Sequence, residues 1–314
     1  MKTIKRFLEP TPIQYLGKLS GGQKLFIKRD DLLGFCFGGN KCRIGAAFLE
    51  DMEKLGADFM VSYGSRSSNL NRVVSALCRS QNIPCRILSS EEKGERDGFN
   101  AAMISQMGIE RMPCSKEKVA DTVSHTLQSL REQGFHPYYI YGNMYGKGNE
   151  AAARTAYRKA YREILDWQEQ NQISFDAIFL ASGTGMTQGG LLAGKWENGG
   201  REKIIGISVA RDLESGVAGV RRYAGEGRED ICFETEYRCG GYGKYDEEIE
   251  AGIRQMMEDN GIALDPIYTG KAYTGMLRWL KKQGEGMEHV LFLHTGGLPL
   301  YFDYLNSKVK EVRQ

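Results

Sequence analysis

Leu25-Phe26-Ile27-Lys28-Arg29-Asp30-Asp31 reads as a strand, and Gly38-Gly39-Asn40-Lys41, a few residues on, opens an amphipathic helix. Two glycines let the backbone turn sharply and leave the space above Lys41 uncrowded. An Asn beside the Lys can fix its orientation by hydrogen bonding. The arrangement suits a lysine that must reach a bound aldehyde and form a Schiff base with it. A lone Lys after a glycine turn is equally an ordinary solvated side chain, so the reading rests on the motifs further along the chain.

Strand and helix alternate from there. Ile44, Ala47, Phe48, Met52 and Leu55 recur at helical spacing, and Gly56 stops that helix. Phe59-Met60-Val61 reads as a buried strand, Leu70, Val73, Val74 and Leu77 as one helix face, and Cys85-Arg86-Ile87-Leu88 as the next strand. The charged stretch from Glu91 to Gly98 reads as an exposed loop. A helix carrying Val119, Val123, Leu127 and Leu130 leads to a strand at Tyr138-Tyr139-Ile140-Tyr141, then to a long helix from Glu150 to about Glu169. Further strands are expected at 177–180, 204–208 and 290–293. Helices are expected around Ile249, Ile253 and Met256, and around Leu277 and Leu280. Such alternation implies mainly parallel sheets covered on both faces, because each crossover helix packs back on its sheet. Ligands of such folds sit at the carboxyl ends of strands.

A chain of 314 residues allows two lobes sharing one cleft. No linker or internal repeat divides it, so the lobes are expected to interleave: residues 1–45 and 146–314 in a large lobe, residues 46–145 in a small one. The net charge of +2 points to neither nucleic acid nor an anionic membrane. No apolar run approaches the ~20 residues that span a bilayer. The basic start, Met1-Lys2-Thr3-Ile4-Lys5-Arg6, lacks the apolar stretch of a signal peptide. Seven cysteines without a C-x-x-C pair fit reduced thiols in the cytoplasm. Four histidines, none paired at ligand spacing, argue against a zinc site.

The loops after strands carry the chemistry. Ala181-Ser182-Gly183-Thr184-Gly185-Met186-Thr187-Gln188-Gly189-Gly190 is a glycine-rich loop that leads into a helix at Leu191-Leu192. Free N–H groups and the helix dipole there suit an anion. It is not a P-loop, since no Gly-Lys-Ser/Thr comes after it, nor a clean G-x-G-x-x-G; a ligand-free turn is the alternative. Gly64-Ser65-Arg66-Ser67-Ser68-Asn69 precedes a helix, where Ser68 and Asn69 suit a cap or a substrate carboxylate. Leu264-Asp265-Pro266-Ile267-Tyr268-Thr269-Gly270-Lys271 sets Tyr268 on a turn before a helix. His294-Thr295-Gly296-Gly297 leaves room for a flat ring. Tyr268 alone suits a packed aromatic, and His294 alone a structural histidine.

In combination and order, these segments resemble the pyridoxal-phosphate enzymes of the D-cysteine desulfhydrase and 1-aminocyclopropane-1-carboxylate deaminase family, of the tryptophan-synthase-β-like fold type (fold type II). Thr11-Pro12, the Ile27–Asp31 run and Leu298-Pro299 match as well. The resemblance implies two three-layer α/β lobes with mainly parallel sheets, pyridoxal 5'-phosphate as cofactor, and a homodimer. It implies Lys41 as Schiff-base lysine and proton shuttle, with Asn40 beside it, and Asn69 at the cofactor's ring hydroxyl. Ser182, Gly183, Thr184, Gly185, Met186 and Thr187 would hold the phosphate, and Thr295 would meet the pyridine nitrogen. Ser67, Ser68, Asn69, Leu70 and Tyr268 would meet the substrate, Ser68 and Tyr268 as catalytic groups.

Departures from the family pattern bear on the substrate. Ring-opening deaminases that resemble this chain carry a glutamate after the matching tyrosine, where Thr269 stands here. A neutral group at the pyridine nitrogen makes the ring a weaker electron sink, which favours prompt loss of a β-substituent. Ser67 and Leu70 replace the polar residues that usually flank Ser-Asn, and Gly142-Asn143-Met144-Tyr145-Gly146 replaces a Gly-Gly-Ser-Asn segment. Arg66 could pair with an extra acidic group on a substrate. The expected reaction is a lyase β-elimination from a small amino acid, giving a keto acid and ammonia. A β-replacement synthase, a ring-opening deaminase and a non-catalytic amino-acid or cofactor sensor are the alternatives.

Overall fold

The computed structural model describes residues 8, 10–90, 97–225 and 231–312. Residues 91–96 of the expected charged loop lie outside them. The chain divides into two compact units, one built from Lys41–Ala153, the other from the described residues up to 40 and from 154 onward.

The first unit holds a four-stranded sheet of β3 (Phe59–Ser65), β4 (Cys85–Ser90), β5 (Glu110–Cys114) and β6 (Pro137–Tyr139), in the order β5-β4-β3-β6. Every pairing is parallel. Its helices are α1 (Asn40–Lys54), α2 (Asn69–Ser80), α3 (Phe99–Gln106) and α4 (Val119–Glu132). Val61, Leu88 and Tyr139 form one core with Val123, Leu127 and Leu130 of α4. Ile44, Phe48 and Met52 of α1 and Val73, Val74 and Leu77 of α2 are buried too, as their helical spacing requires.

In the second unit six strands run in the order β1-β2-β10-β7-β8-β9: β1 (Ile13–Lys18), β2 (Lys24–Arg29), β7 (Ala177–Ser182), β8 (Lys203–Ser208), β9 (Cys232–Glu234) and β10 (His289–His294). Only the β1–β2 pairing is antiparallel. The central strands read as unbroken apolar runs because both faces are covered; all six residues of β7 are buried. Around this sheet stand α5 (Glu150–Asn171), α6 (Met186–Asn198), α7 (Leu213–Ala224), α8 (Glu247–Asn260), α9 (Thr269–Gln283) and α10 (Leu298–Val312). Ile27, Phe179, Ile205 and Phe292 pack with Ile253, Met276 and Trp279. Gly190 and Gly194 let α6 approach α5 so closely that a Cβ at either would crowd the Tyr157 or Tyr161 side chain.

β1, α3, β5, α7, β9 and α10 are absent from the sequence expectation. β5 and β9 are short edge strands, which tolerate Pro113 in the one case and need only three residues in the other. The expected run to Asp31 ends at Arg29, because Asp30–Leu32 winds into a 3-10 turn. Asp30 is held there by Tyr157 Oη at 2.6 Å and Thr11 Oγ1 at 2.7 Å. Register pairs His294 with Arg29, and Ser182 with Ser208. The carboxyl ends of β2, β10, β7 and β8 therefore lie along one edge of the sheet.

Candidate functional site

The turn leading to Lys41 is held by backbone contacts. Cys36, Phe37, Gly38 and Gly39 all have positive φ (44°, 65°, 68° and 95°). That conformation costs the two non-glycine residues on the order of 1 kcal/mol each. A Cβ on Gly38 would overlap the Asp31 carbonyl, and one on Gly39 would stand 2.9 Å from the Thr295 oxygen. Gly39 N–H donates to the Asp30 carbonyl at 2.9 Å, and Asn40 N–H to that of Thr295 at 3.0 Å. The Asn40 side chain donates to Thr187 Oγ1 at 2.9 Å.

Three lysines fall within the motifs, and their surroundings separate them. Lys28 is buried and paired with Glu163 at 2.7 Å. Lys271 donates to the carbonyls of Val209, Arg238 and Gly241 at 3.0, 2.9 and 2.6 Å. Burial lowers its pKa to about 8, opposed by the nearby Cys239, Asp265 and Asp246 groups. Lys41 has no hydrogen-bond or ion-pair partner among the described residues. Its side chain is partly accessible, but the protein around the amine strips its hydration and lowers its pKa from 10.5 to about 8.

Ser182, Gly183, Thr184 and Gly185 come at the end of β7, and α6 begins at Met186 rather than at Leu191. Thr187 is therefore in the first helical turn, and Gly189 and Gly190 are packing surfaces rather than loop. Gly185 takes φ +92° with no side-chain cap on the helix; a Cβ there would meet Gly219 and Val220 backbone at 2.5 Å. The first-turn N–H groups face an end that no side chain closes. The Ser182 hydroxyl is buried with no partner among the described residues. An uncapped helix start, an orphaned hydroxyl and a glycine that admits no larger residue fit a phosphate.

In the first unit, Ser68 caps α2 by accepting the Asn71 N–H at 3.1 Å and keeps its own proton to donate. Asn69 Oδ1 accepts from Arg72 Nη1 and Asn100 Nδ2, each at 3.0 Å, which turns its NH2 group to face elsewhere as a donor. A donor suits a phenolate oxygen, so Asn69 fits the ring hydroxyl of a pyridoxal group. Asn100 also donates to the Ser67 carbonyl at 2.7 Å. Leu70 is buried in the unit's core. Arg66 meets Asp97 at 2.8 Å, and Arg111 holds the same carboxylate at 2.7 Å. Arg111 first, then Arg66, lowers the Asp97 pKa.

Tyr268 caps α9, set there by buried Asp265. Oδ1 of Asp265 accepts the N–H groups of Ile267 and Tyr268 at 2.9 and 2.8 Å, and Oδ2 accepts Thr269 N–H at 3.1 Å. Thr269 Oγ1 donates to Oδ2 at 2.8 Å and accepts Asp265 N–H at 2.8 Å. Burial raises the Asp265 pKa against these bonds. Thr269 thus spends its hydroxyl inside the turn. Tyr268 Oη lies 3.2 Å from Tyr242 Oη. His294 Nε2 donates to the Ala263 carbonyl at 2.8 Å, leaving Nδ1 to accept Gly296 N–H at 3.1 Å, the behaviour of a structural histidine. Thr295 is buried just beyond β10. Asp265, Tyr242, Asn100 and Arg72 have no role legible in the sequence; only the Asp before Pro266 gives a signal, that of a turn.

The fold and these loops define a fold-type II enzyme of the tryptophan-synthase-β-like kind. A family model described as "Pyridoxal-phosphate dependent enzyme" matches residues 4–296, and the chain belongs to that family. It is a pyridoxal-phosphate-dependent enzyme. It is 28% identical to a D-cysteine desulfhydrase of Klebsiella pneumoniae, over 94% of both chains. It is 34% identical to a Pyrococcus furiosus protein described as "Putative 1-aminocyclopropane-1-carboxylate deaminase", over 94% of this chain and 91% of the other. A crystal structure of an ACC deaminase homologue superposes with TM-score 0.81 at 29% identity, covering 99% of each chain. Among the described residues no helix is long and apolar enough to cross a membrane, and no His/Cys/Asp/Glu cluster could hold a metal ion.

Proposed function

We propose that this enzyme removes a β-substituent from a small amino acid, as a D-cysteine desulfhydrase does, releasing a keto acid and ammonia. Relatives of both the desulfhydrase and the deaminase kind support elimination or replacement chemistry on a small amino acid. The observation that carries the assignment of roles is the isolation of Lys41, whose amine has a pKa of about 8 and no bonding partner among the described residues.

Bound pyridoxal phosphate supplies an electron sink for the α-carbon of an amino acid joined to it. Lys41 would hold the cofactor and serve as general base for the substrate's α-proton, and a pKa near working pH suits both tasks. Ser182 to Thr187 would hold the phosphate, and Asn40 steadies Thr187 among them. The Asn69 amide would donate to the ring hydroxyl, and the Ser68 hydroxyl would donate a hydrogen bond to the substrate carboxylate. Tyr268, coupled to Tyr242, hands a proton to the leaving group. Thr295 would offer the ring nitrogen a neutral hydroxyl.

The test is a panel of D- and L-cysteine, β-chloroalanine, serine and aminocyclopropane carboxylate, scored for ammonia and keto acid. Turnover of β-substituted amino acids is expected. Spectral shifts on adding amino acids, with no keto acid from any of them, would make the chain a sensor. A cytoplasmic homodimer is part of the proposal, and light scattering checks the dimer.

A further inference from the structure

Lys271 lies three residues beyond Tyr268 on α9, and its side chain is fully buried. The three acceptors of its ammonium are all main-chain carbonyls, with no carboxylate among them. One, Val209, lies just past β8. The others, Arg238 and Gly241, lie in the stretch between β9 and α8, where Cys239, Gly240, Gly241 and Gly243 all take positive φ. Beyond three turn bonds, Arg238 N–H to the Thr235 carbonyl, Gly241 N–H to that of Arg238 and Lys244 N–H to that of Gly241, this stretch has no regular structure. The residue after Gly241 is Tyr242, whose hydroxyl meets that of Tyr268.

We propose that Lys271 is a tethered monovalent cation, whose charge gathers three carbonyls, folds residues 238–243 and thereby positions Tyr242 against Tyr268. Three oxygens at 2.6 to 3.0 Å are as suitable for potassium or free ammonium as for a lysine head. A cavity of about 80 Å³ lined by Lys271 with Cys239, Asp246 and Thr274 has room for waters that would complete an ion's shell. The Thr274 hydroxyl there is buried without a partner among the described residues. Lys271 is a positioning residue in this account and touches no reacting atom.

The clamp does not depend on the proposed reaction; only its effect on turnover does. Wild type, Lys271→Ala and Lys271→Met holoenzymes are compared in tetramethylammonium chloride and, at equal ionic strength, in potassium or ammonium chloride. Wild type should melt and turn over alike in all three. Lys271→Ala should lose about tenfold in kcat/KM, mainly through KM, and melt lower in tetramethylammonium. Potassium or ammonium should restore its melting point and at least about half of the lost activity on a logarithmic scale. Lys271→Met, whose apolar chain fills the space, should not respond. A Lys271→Ala protein indifferent to the cation, whether fully active, crippled or insoluble in every salt, overturns the proposal. Should wild type turn over no amino acid, the reaction assignment falls while melting still reports on the clamp.

Discussion

Asn40 and Thr187 are bonded side chain to side chain at 2.9 Å across 147 residues of sequence. The bond ties the residue before Lys41 to the first turn of α6, so the lysine's neighbour and the proposed phosphate cradle share one polar link. Neither motif alone implies it. Their juxtaposition arises because β10 and β7 are neighbours in the sheet, with the glycine turn lying on the Thr295 backbone.

Thr187→Val should therefore lower the apo melting point by about 2 °C, the worth of one lost hydrogen bond of about 1 kcal/mol, and weaken cofactor binding about fivefold by loosening the first turn of α6. Equilibrium dialysis of pyridoxal phosphate measures the effect. Unchanged affinity would mean that the link is structural only.

Ser182→Ala separates a ligand contact from a structural one. With no partner among the described residues, the Ser182 hydroxyl gives apo stability nothing and leaves a buried polar atom unsatisfied. Removing it should leave the apo melting point equal or raised, while cofactor affinity falls about fivefold. A drop in apo stability without loss of affinity would take Ser182 out of the cradle.

The lowered pKa of Lys41 predicts a pH dependence of cofactor loading. Only the neutral amine attacks an aldehyde, and the neutral fraction grows as pH rises through the amine's pKa. At pH 7.5 a pKa of about 8 leaves about a quarter of the amine neutral, against about one part in a thousand at 10.5. Reconstitution of apoenzyme, monitored by absorbance, should accelerate with pH and level off above about 8. Continued acceleration to about pH 10 would show an ordinary solvated lysine. Lys41→Ala should leave no borohydride-reducible bond; a label mapped to Lys28 or Lys271 would contradict their engaged ammonium groups.

Much of this architecture is legible in the sequence, and the exceptions share a cause. Gly38, Gly39 and Lys41 are readable because a positive-φ turn and a helix start are local events. The sequence pattern starts α6 five residues late because Gly189 and Gly190 look like loop until Tyr157 and Tyr223 are seen to need the space. Thr269 reads in the sequence only as the neutral residue standing where related deaminases carry a glutamate; only Asp265, four residues back, reveals where its hydroxyl goes. Tyr242 has a meaning only through Tyr268, 26 residues later. Periodicity reports which face of an element is buried, and it is silent on polar partners brought together by topology.

Thr269 and Thr295 are neutral, and neither can hold a proton on the pyridine nitrogen by ion pairing. Elimination from cysteine or β-chloroalanine should proceed, and opening of aminocyclopropane carboxylate should be negligible beside it. Thr269→Glu should not install ring opening. The Thr269 side chain is fully buried and bonded to Asp265, so a glutamate there would set two carboxylates side by side in the core. Such a pair costs about 3–5 kcal/mol, or takes up a proton and loses its charge. The variant should melt well below wild type and lose elimination as Tyr268 is displaced with the turn. Ring opening by wild type at a rate comparable with its best β-substituted substrate would sink the argument from the missing carboxylate, and a stable, ring-opening Thr269→Glu enzyme would show that the residue reaches the cofactor after all.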